Sequence, residues 1–187
     1  PEPVRYRRSV SMWSDQSFAS LAPTVESGCV LAAVRSATPG FPCEESGAAP
    51  FTHGRWLFSH NGVLNDFRLA HKALRDASAW TPDALAPVDS ALLFGLAVAH
   101  WEAGASLGEG LARVVAQVAA VGGGRLNLLA CDGRSLAATT YGDTLFVREA
   151  GGVILASEPY DNAPGWQAVP PRSLVEVGES GTKITKL

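Results

Sequence analysis

The sequence has few cysteines and no long apolar segment, and both absences narrow the class of protein. Its three cysteines, Cys29, Cys43 and Cys131, are an odd number and lack the spacing of a metal site. They fit a reducing cytoplasm better than a disulfide framework, so we expect a cytoplasmic protein. The longest apolar run, residues 91–99, is interrupted by Gly95 and is too short to span a bilayer.

An excess of basic charge is also missing. The formal net charge is −3, whereas a nucleic-acid-binding domain would be clearly basic. The four histidines form no ligand pattern with cysteines or carboxylates, so we predict neither a metal nor a cofactor. In contrast, hydrophobic residues make up 47% of the chain, which is enough for a substantial core.

The first quarter of the chain has patterns of extended and helical structure. Alternation of side chains predicts a strand over residues 4–13, and apolar spacing predicts a short helix over 18–25. The nearly continuous apolar run at 29–35 is typical of a strand that is covered on both faces. Residues 36–54 lack periodicity and are rich in Gly, Pro and Ala, so we expect a long loop.

The most informative stretch is the predicted central strand at residues 55–60. Bulky and polar residues alternate up to His60, and the pattern predicts that the strand ends in a tight turn at Asn61-Gly62. Consecutive N–H groups in such a turn can point at one spot, as an oxyanion hole requires. Asn-Gly between apolar runs is also the strongest short hairpin signal, so the pair alone has a structural explanation.

The rest of the chain divides into helices followed by short strands. Helices are predicted at 66–77, 91–101 and 107–121, and the last two are so apolar that they must pack on a broad surface such as a sheet. Strands are then predicted at 126–130, 136–141, 144–148, 153–157, 173–177 and 182–187. Helices followed by a meander of strands predict an α+β layered domain.

Three short motifs carry the candidate chemistry. Arg35 and Thr38 follow the predicted buried strand, His60-Asn61-Gly62 ends the next one, and Asp89-Ser90 precedes the first apolar helix. Each has an ordinary alternative. Arg35 is explained as a strand-end ion pair, Asp89 as a helix N-cap, and His60 as a packed structural residue.

In this order, the motifs resemble the glutaminase domain of class II glutamine amidotransferases, a family of N-terminal-nucleophile hydrolases. The resemblance implies a four-layer αββα sandwich of the α+β class. It also implies that Arg35 and Thr38 grip the α-carboxylate of the substrate, a role that suits the guanidinium fork. Asp89 falls where the family binds the α-amino group, so opposite charges would hold the two ends of an amino acid.

The same resemblance assigns the reacting end of the substrate to the central motif. The side chain of Asn61 and the N–H of Gly62 would form the oxyanion hole, and His60 would support the substrate site. The substrate would therefore present its γ-carbonyl to Asn61 and Gly62.

Several phrases narrow the resemblance to one branch, the hydrolases of ergothioneine biosynthesis that remove the γ-glutamyl group from γ-glutamyl-hercynylcysteine S-oxide. These phrases lie at residues 12–15, 33–38, 49–51 and 157–161. Glutamine-using relatives usually carry Asn-Ala-His-Pro before the central strand, and that His is absent from residues 47–50. The alternatives are a glutaminase that supplies ammonia to a partner synthase and a non-catalytic module that lost its nucleophile.

One feature departs from the family pattern. The family's nucleophile is a Cys at the mature N-terminus whose own amino group acts as base, whereas this chain begins with Pro1. Neither Cys29 nor Cys43 can offer an adjacent free amine. We therefore expect residues 1–187 to be a single domain of this type that lacks its N-terminal strands and nucleophile, and to be inactive as it stands.

Overall fold

The computed structural model describes residues 2–35 and 43–187. Within these ranges the α-helices are α1 (Phe18–Leu21), α2 (Phe67–Leu74), α3 (Asp89–Glu102) and α4 (Leu107–Ala120). The strands are β1 (Phe51–His53), β2 (Trp56–Leu64), β3 (Gly124–Cys131), β4 (Leu136–Thr140), β5 (Phe146–Glu149), β6 (Val153–Ala156), β7 (Gln167–Ala168), β8 (Ser173–Gly178) and β9 (Gly181–Lys186). None of the helices in these ranges is long and apolar enough to cross a membrane.

The strands form two antiparallel sheets. A six-stranded sheet has the order β1-β2-β3-β4-β8-β9, and a three-stranded sheet has the order β6-β5-β7. Phe58, Ala130 and Ala137 lie side by side on β2, β3 and β4, and they belong to the same buried cluster as the helices. Side chains at neighbouring positions point to the opposite face, where Ala138 and Val175 pack with residues of the three-stranded sheet.

Helices, large sheet and small sheet therefore lie in that order, and the predicted α+β class is confirmed. Helix α3 is buried on nearly every side because it packs on β1 and β2 and is also in contact with α2 and α4. A helix that is apolar on all sides is stable only when it is buried on all sides, and α3 meets this condition. The start of α4 is fixed by a capping box in which Ser106 and Glu109 each bond to the other's backbone N–H.

The N-terminal predictions were largely wrong. Residues 4–13 form no strand, and a short 3₁₀-helix occupies Met12–Ser14. The apolar run at 29–35 is not a strand either. Leu31 is buried, but Val34 is 90% exposed. An apolar pattern becomes a strand only when another backbone pairs with it, and the described part of the chain provides no such partner here.

Two other predicted boundaries differ for local reasons. The helix predicted at 18–25 is α-helical only over Phe18–Leu21, and a 3₁₀-helix follows at Ala22–Thr24. Pro23 lies in that second segment and cannot donate the backbone hydrogen bond that continues an α-helix. The helix predicted at 66–77 likewise ends at Leu74 and continues as a 3₁₀-turn.

The predicted turn at Asn61-Gly62 is also wrong. Strand β2 runs through both residues to Leu64, and it pairs with β3 along its length from Leu57 to Leu64. The tight-turn statistics of Asn-Gly apply to local hairpins. Here the partner strand comes from about sixty residues later in the chain, and that pairing overrides the local preference. Strand β1 was missed for a related reason, because its three residues fall within the predicted loop.

Candidate active site

The Asp89 carboxylate lies where α3 meets the end of β2. The residue is 6% exposed, and its Oδ2 accepts a hydrogen bond from the Leu64 N–H at 3.2 Å. Its Oδ1 accepts one from the Ser90 N–H at 2.8 Å. Val88 is the N-cap of α3, so Asp89 is its first helical residue and not the cap. The carboxylate thus joins the helix to the central strand.

This buried carboxylate can accept more hydrogen bonds than its two backbone donors supply. An ionised carboxylate offers about four acceptor positions, and the two backbone donors leave the others open. Across the described residues, no Lys or Arg nitrogen lies within 4.0 Å of it. Because a buried charge is costly without an opposite charge, the position suits a cationic group supplied by a ligand.

His60 extends the same hydrogen-bond network to β3. Its Nδ1 lies 3.0 Å from the Ser90 Oγ, and its Nε2 lies 2.9 Å from the carbonyl oxygen of Arg125. Burial is the largest influence on this ring and lowers the pKa of His60, so the ring is neutral at pH 7. A neutral ring has one N–H, which must be on Nε2 because the Arg125 carbonyl can only accept. Nδ1 therefore accepts from the Ser90 hydroxyl.

Gly62 is required by the close approach of β3. Its φ of +146° is a conformation that side-chain-bearing residues rarely adopt. A Cβ at this position would overlap the Arg125 carbonyl oxygen and would lie 2.9 Å from His60 Nε2. The glycine thus allows His60 and the β3 backbone to meet beside it.

Asn61 is exposed and lies on the opposite face of β2 from His60. Its partner across the strands is Asn127, and the two side chains share a face because directly opposite residues of paired strands point the same way. Asn127 is buried. Asn127 accepts a hydrogen bond from the Tyr141 N–H at 2.8 Å and donates one to the Thr144 carbonyl at 2.8 Å. Sequence analysis missed Asn127, because only strand register places it beside Asn61.

Arg35 lies next to the start of α3. A Cβ built on Gly47 would be 3.0 Å from Arg35 Nη1 and 3.0 Å from a methyl group of Val88, so the guanidinium and Val88 border the same glycine. Val88 directly precedes Asp89. The structure therefore brings Arg35, His60, Gly62 and Asp89 to one end of the central strand, whereas Thr38 lies outside the described residues.

Two cavities among the described residues lie elsewhere. One of about 350 Å³ lies between α4 and the β8–β9 hairpin, and one of about 240 Å³ lies between Leu31 and the two sheets. Neither is lined by the predicted site residues. Within residues 2–35 and 43–187, no group of three or more His, Cys, Asp or Glu side chains is placed to hold a metal ion.

Comparison with curated proteins identifies the family. A γ-glutamyl-hercynylcysteine sulfoxide hydrolase of Mycobacterium tuberculosis is 46% identical over 186 residues, which cover 99% of this chain and 74% of that protein. The chain belongs to this hydrolase family. The hydrolase of the same name from Mycolicibacterium smegmatis is 44% identical over 188 residues, which cover 98% of this chain and 75% of that protein. No protein-family model matches the sequence.

Solved structures agree with the membership of this hydrolase family. A glutamine aminotransferase class-II domain protein from Silicibacter pomeroyi superposes with a TM-score of 0.80 at 27% identity, covering 100% of this chain and 86% of that one. Glutamine phosphoribosylpyrophosphate amidotransferase from B. subtilis shares the fold alone, with a TM-score of 0.57 at 15% identity over 78% of this chain and 33% of that one. The predicted resemblance to class II amidotransferases is therefore confirmed.

Proposed function

We propose that this protein hydrolyses the γ-glutamyl amide bond of γ-glutamyl-hercynylcysteine sulfoxide and releases glutamate and hercynylcysteine sulfoxide. The family membership supports this reaction. The structural observation that carries it is the buried Asp89 carboxylate, which no Lys or Arg of residues 2–35 and 43–187 approaches within 4.0 Å and which bonds to the end of the strand that bears Gly62. That arrangement suits a ligand that has an ammonium at one end and a reacting carbonyl near it.

In this proposal, charge holds the glutamyl end of the substrate. The α-ammonium takes the open acceptor positions of Asp89, and the Arg35 guanidinium pairs with the α-carboxylate. Thr38 would contribute to the same carboxylate contact. Ser90 and His60 hold Asp89 in place relative to β3, because the Ser90 backbone N–H donates to Asp89, the Ser90 hydroxyl donates to His60 Nδ1, and His60 Nε2–H donates to the Arg125 carbonyl.

The reacting γ-carbonyl then lies at Asn61 and Gly62. The Asn61 side-chain amide and the Gly62 N–H donate to the oxygen as it becomes negative, which stabilises the transition state more than the substrate. In this proposal, residues 1–187 supply substrate binding and oxyanion stabilisation within one glutamine-amidotransferase-type domain.

The oxyanion role is tested in the protein expressed from its complete gene. Asn61→Ala should lower kcat by about 10²–10³ with little change in KM, because the donor acts mainly on the transition state. Asn65→Ala is the control, since Asn65 follows the same strand and its amide bonds to the Gly122 carbonyl. Near wild-type turnover of Asn61→Ala, in a protein that melts normally, would refute the role.

The carboxylate clamp is tested by its effect on KM. Arg35→Ala should raise KM by about ten-fold or more, because hydrogen bonds to charged groups contribute about 1.5–3 kcal/mol. Arg55→Ala removes an exposed guanidinium elsewhere and serves as the control. Glutamine is assayed beside the sulfoxide substrate. Turnover of glutamine alone would favour an ammonia-supplying glutaminase instead.

We also propose a cytoplasmic location for the protein. Cys29, Cys43 and Cys131 are all free thiols, which supports a reducing compartment.

A further inference from the structure

The loop that follows β6 starts beside the Asn61 face of the large sheet. Asn127, the cross-strand neighbour of Asn61, donates to the Thr144 carbonyl, and the Thr144 hydroxyl donates to the Ser157 carbonyl at 2.8 Å. Two hydrogen bonds therefore lead from the position opposite Asn61 to the first residue of the loop at 157–166. The start of this loop is therefore connected to the face of the large sheet that bears Asn61.

Asp161 gives this loop a defined shape. Its Oδ1 accepts from the Trp166 indole N–H at 2.9 Å and from the Ala163 N–H at 3.2 Å. Its Oδ2 lies 3.2 Å from Arg148 Nη1 on β5, and the Arg148 guanidinium lies 5.7 Å from the centre of the Trp166 ring. The hydrogen bond to Trp166 is also the largest cause of a lowered pKa of Asp161, so the carboxylate is ionised at neutral pH.

This network presents one aromatic ring to solvent. Tyr160 is 66% exposed although it is a large side chain, and its ring meets Trp166 edge-on with 5.2 Å between centroids. The ion pair of Arg148 and Asp161 is internally neutral, so no net charge of that pair opposes a cation at Tyr160. The face of an aromatic ring attracts a quaternary ammonium group through the ring quadrupole, and the Tyr160 ring is open to such a group.

We infer that Tyr160 binds the non-glutamyl half of the substrate by placing its ring face against the trimethylammonium of the hercynyl group. This inference rests on the proposed function, because only a hercynyl-bearing substrate supplies that cation. Trp166 and Asp161 are positioning residues, since they hold the Tyr160 ring and do not themselves meet the ligand. The glutamyl half is bound at β2 and α3, and the other half extends along the loop at 157–166.

The test compares two substrates in the protein expressed from its complete gene. Tyr160→Leu keeps an apolar side chain and removes the π face, so KM for γ-glutamyl-hercynylcysteine sulfoxide should rise about ten-fold, as the loss of a desolvated cation–π contact implies. Tyr160→Phe keeps the face and should have the wild-type KM. With γ-glutamyl-p-nitroanilide, which has no quaternary ammonium, all three proteins should have the same KM.

Trp80→Leu is the matched control, because Trp80 is 87% exposed and belongs to a different segment of the fold. It should leave both KM values unchanged. An unchanged KM for the sulfoxide substrate in Tyr160→Leu would overturn the inference, and so would an equal rise for both substrates, which would indicate a general disturbance of the site. If the wild type cleaves neither substrate, the proposed function is wrong and this inference fails with it.

Discussion

Among single residues, the three thiols differ most clearly in their environments. Cys131 is buried on β3, and burial, with a smaller contribution from the neighbouring Cys29 thiol, raises the pKa of Cys131 to about 12. Cys43 is exposed and Cys29 is half-buried. Because the thiolate is the reactive form, these environments predict an order of reactivity.

We expect iodoacetamide at pH 8 to modify Cys43 quickly and to leave Cys131 unmodified. At four pH units below its pKa, only about 10⁻⁴ of the Cys131 thiol is ionised, and burial also blocks access to it. Peptide mass spectrometry after timed quenching measures each rate. In urea all three cysteines should react, which is the control for peptide recovery. Equal rates for Cys131 and Cys43 in the folded protein would contradict this environment.

The residue scale also shows what sequence could and could not predict about the site. The type and order of Arg35, His60, Asn61, Gly62 and Asp89 were sufficient to suggest a family, because each residue type suits one chemical task. Their contacts were not predictable. The bond from Leu64 to Asp89 depends on how α3 docks against β2, and no local pattern encodes that docking.

At the scale of secondary-structure elements, the contact between α3 and α4 depends on a glycine. Gly110 on α4 faces the indole of Trp101 on α3, and a Cβ there would overlap the ring, with Cδ1 at 2.6 Å. Trp101 is held in turn by a hydrogen bond to the Leu107 carbonyl and by the Trp56 ring at 5.3 Å. The ring has little room to move.

We therefore expect Gly110→Ala to destabilise the protein by about 1–3 kcal/mol, the usual cost of overpacking a core. In an open helix the same change would stabilise by about 1 kcal/mol, so the sign of the effect reports the contact. Urea denaturation measures it. In a Trp101→Leu background the added methyl group has space, and Gly110→Ala should then become neutral or stabilising. Destabilisation of equal size in both backgrounds would exclude the ring as the cause.

Element predictions succeeded where the information is local. Helices α3 and α4 and the hairpins after residue 124 carry their apolar spacing, caps and turn residues within each segment. The failures at 4–13 and at Asn61-Gly62 concern pairing with distant backbone. Strand β2 continues past Gly62 because β3 lies beside it, and that fact is absent from the eleven residues around the glycine.

For the whole molecule, one carboxylate connects the N-terminal segment to the helix and sheet layers. Asp83 is 9% exposed in the 3₁₀-helix Pro82–Leu85, and its Oδ2 accepts from the Thr52 N–H of β1 at 2.8 Å. The same oxygen pairs with the guanidinium of Arg5 and lies 3.6 Å from Arg7 Nη1. Because residues 4–13 form no strand, this ion cluster replaces sheet pairing as a tether of that segment.

Asp83→Asn should loosen the segment around Arg5 and lower global stability. The amide keeps the shape but leaves two partly buried guanidinium groups without a counter-charge. We expect a loss smaller than the 3–5 kcal/mol or so that follows the breaking of a fully buried pair, because Arg5 and Arg7 retain some solvent contact. Hydrogen exchange should speed up around Arg5 and Arg7 more than in β3.

Asp76→Asn is the matched control, because it breaks an exposed ion pair with Arg75 in another 3₁₀-turn. Such surface pairs contribute about 0–1 kcal/mol, so urea denaturation and exchange near Arg5 should stay close to wild type. If the two variants lose the same stability, or if exchange near Arg5 is unchanged in Asp83→Asn, the cluster is not the tether. The N-terminal segment would then be held by its apolar contacts, of which Leu31 is the buried example.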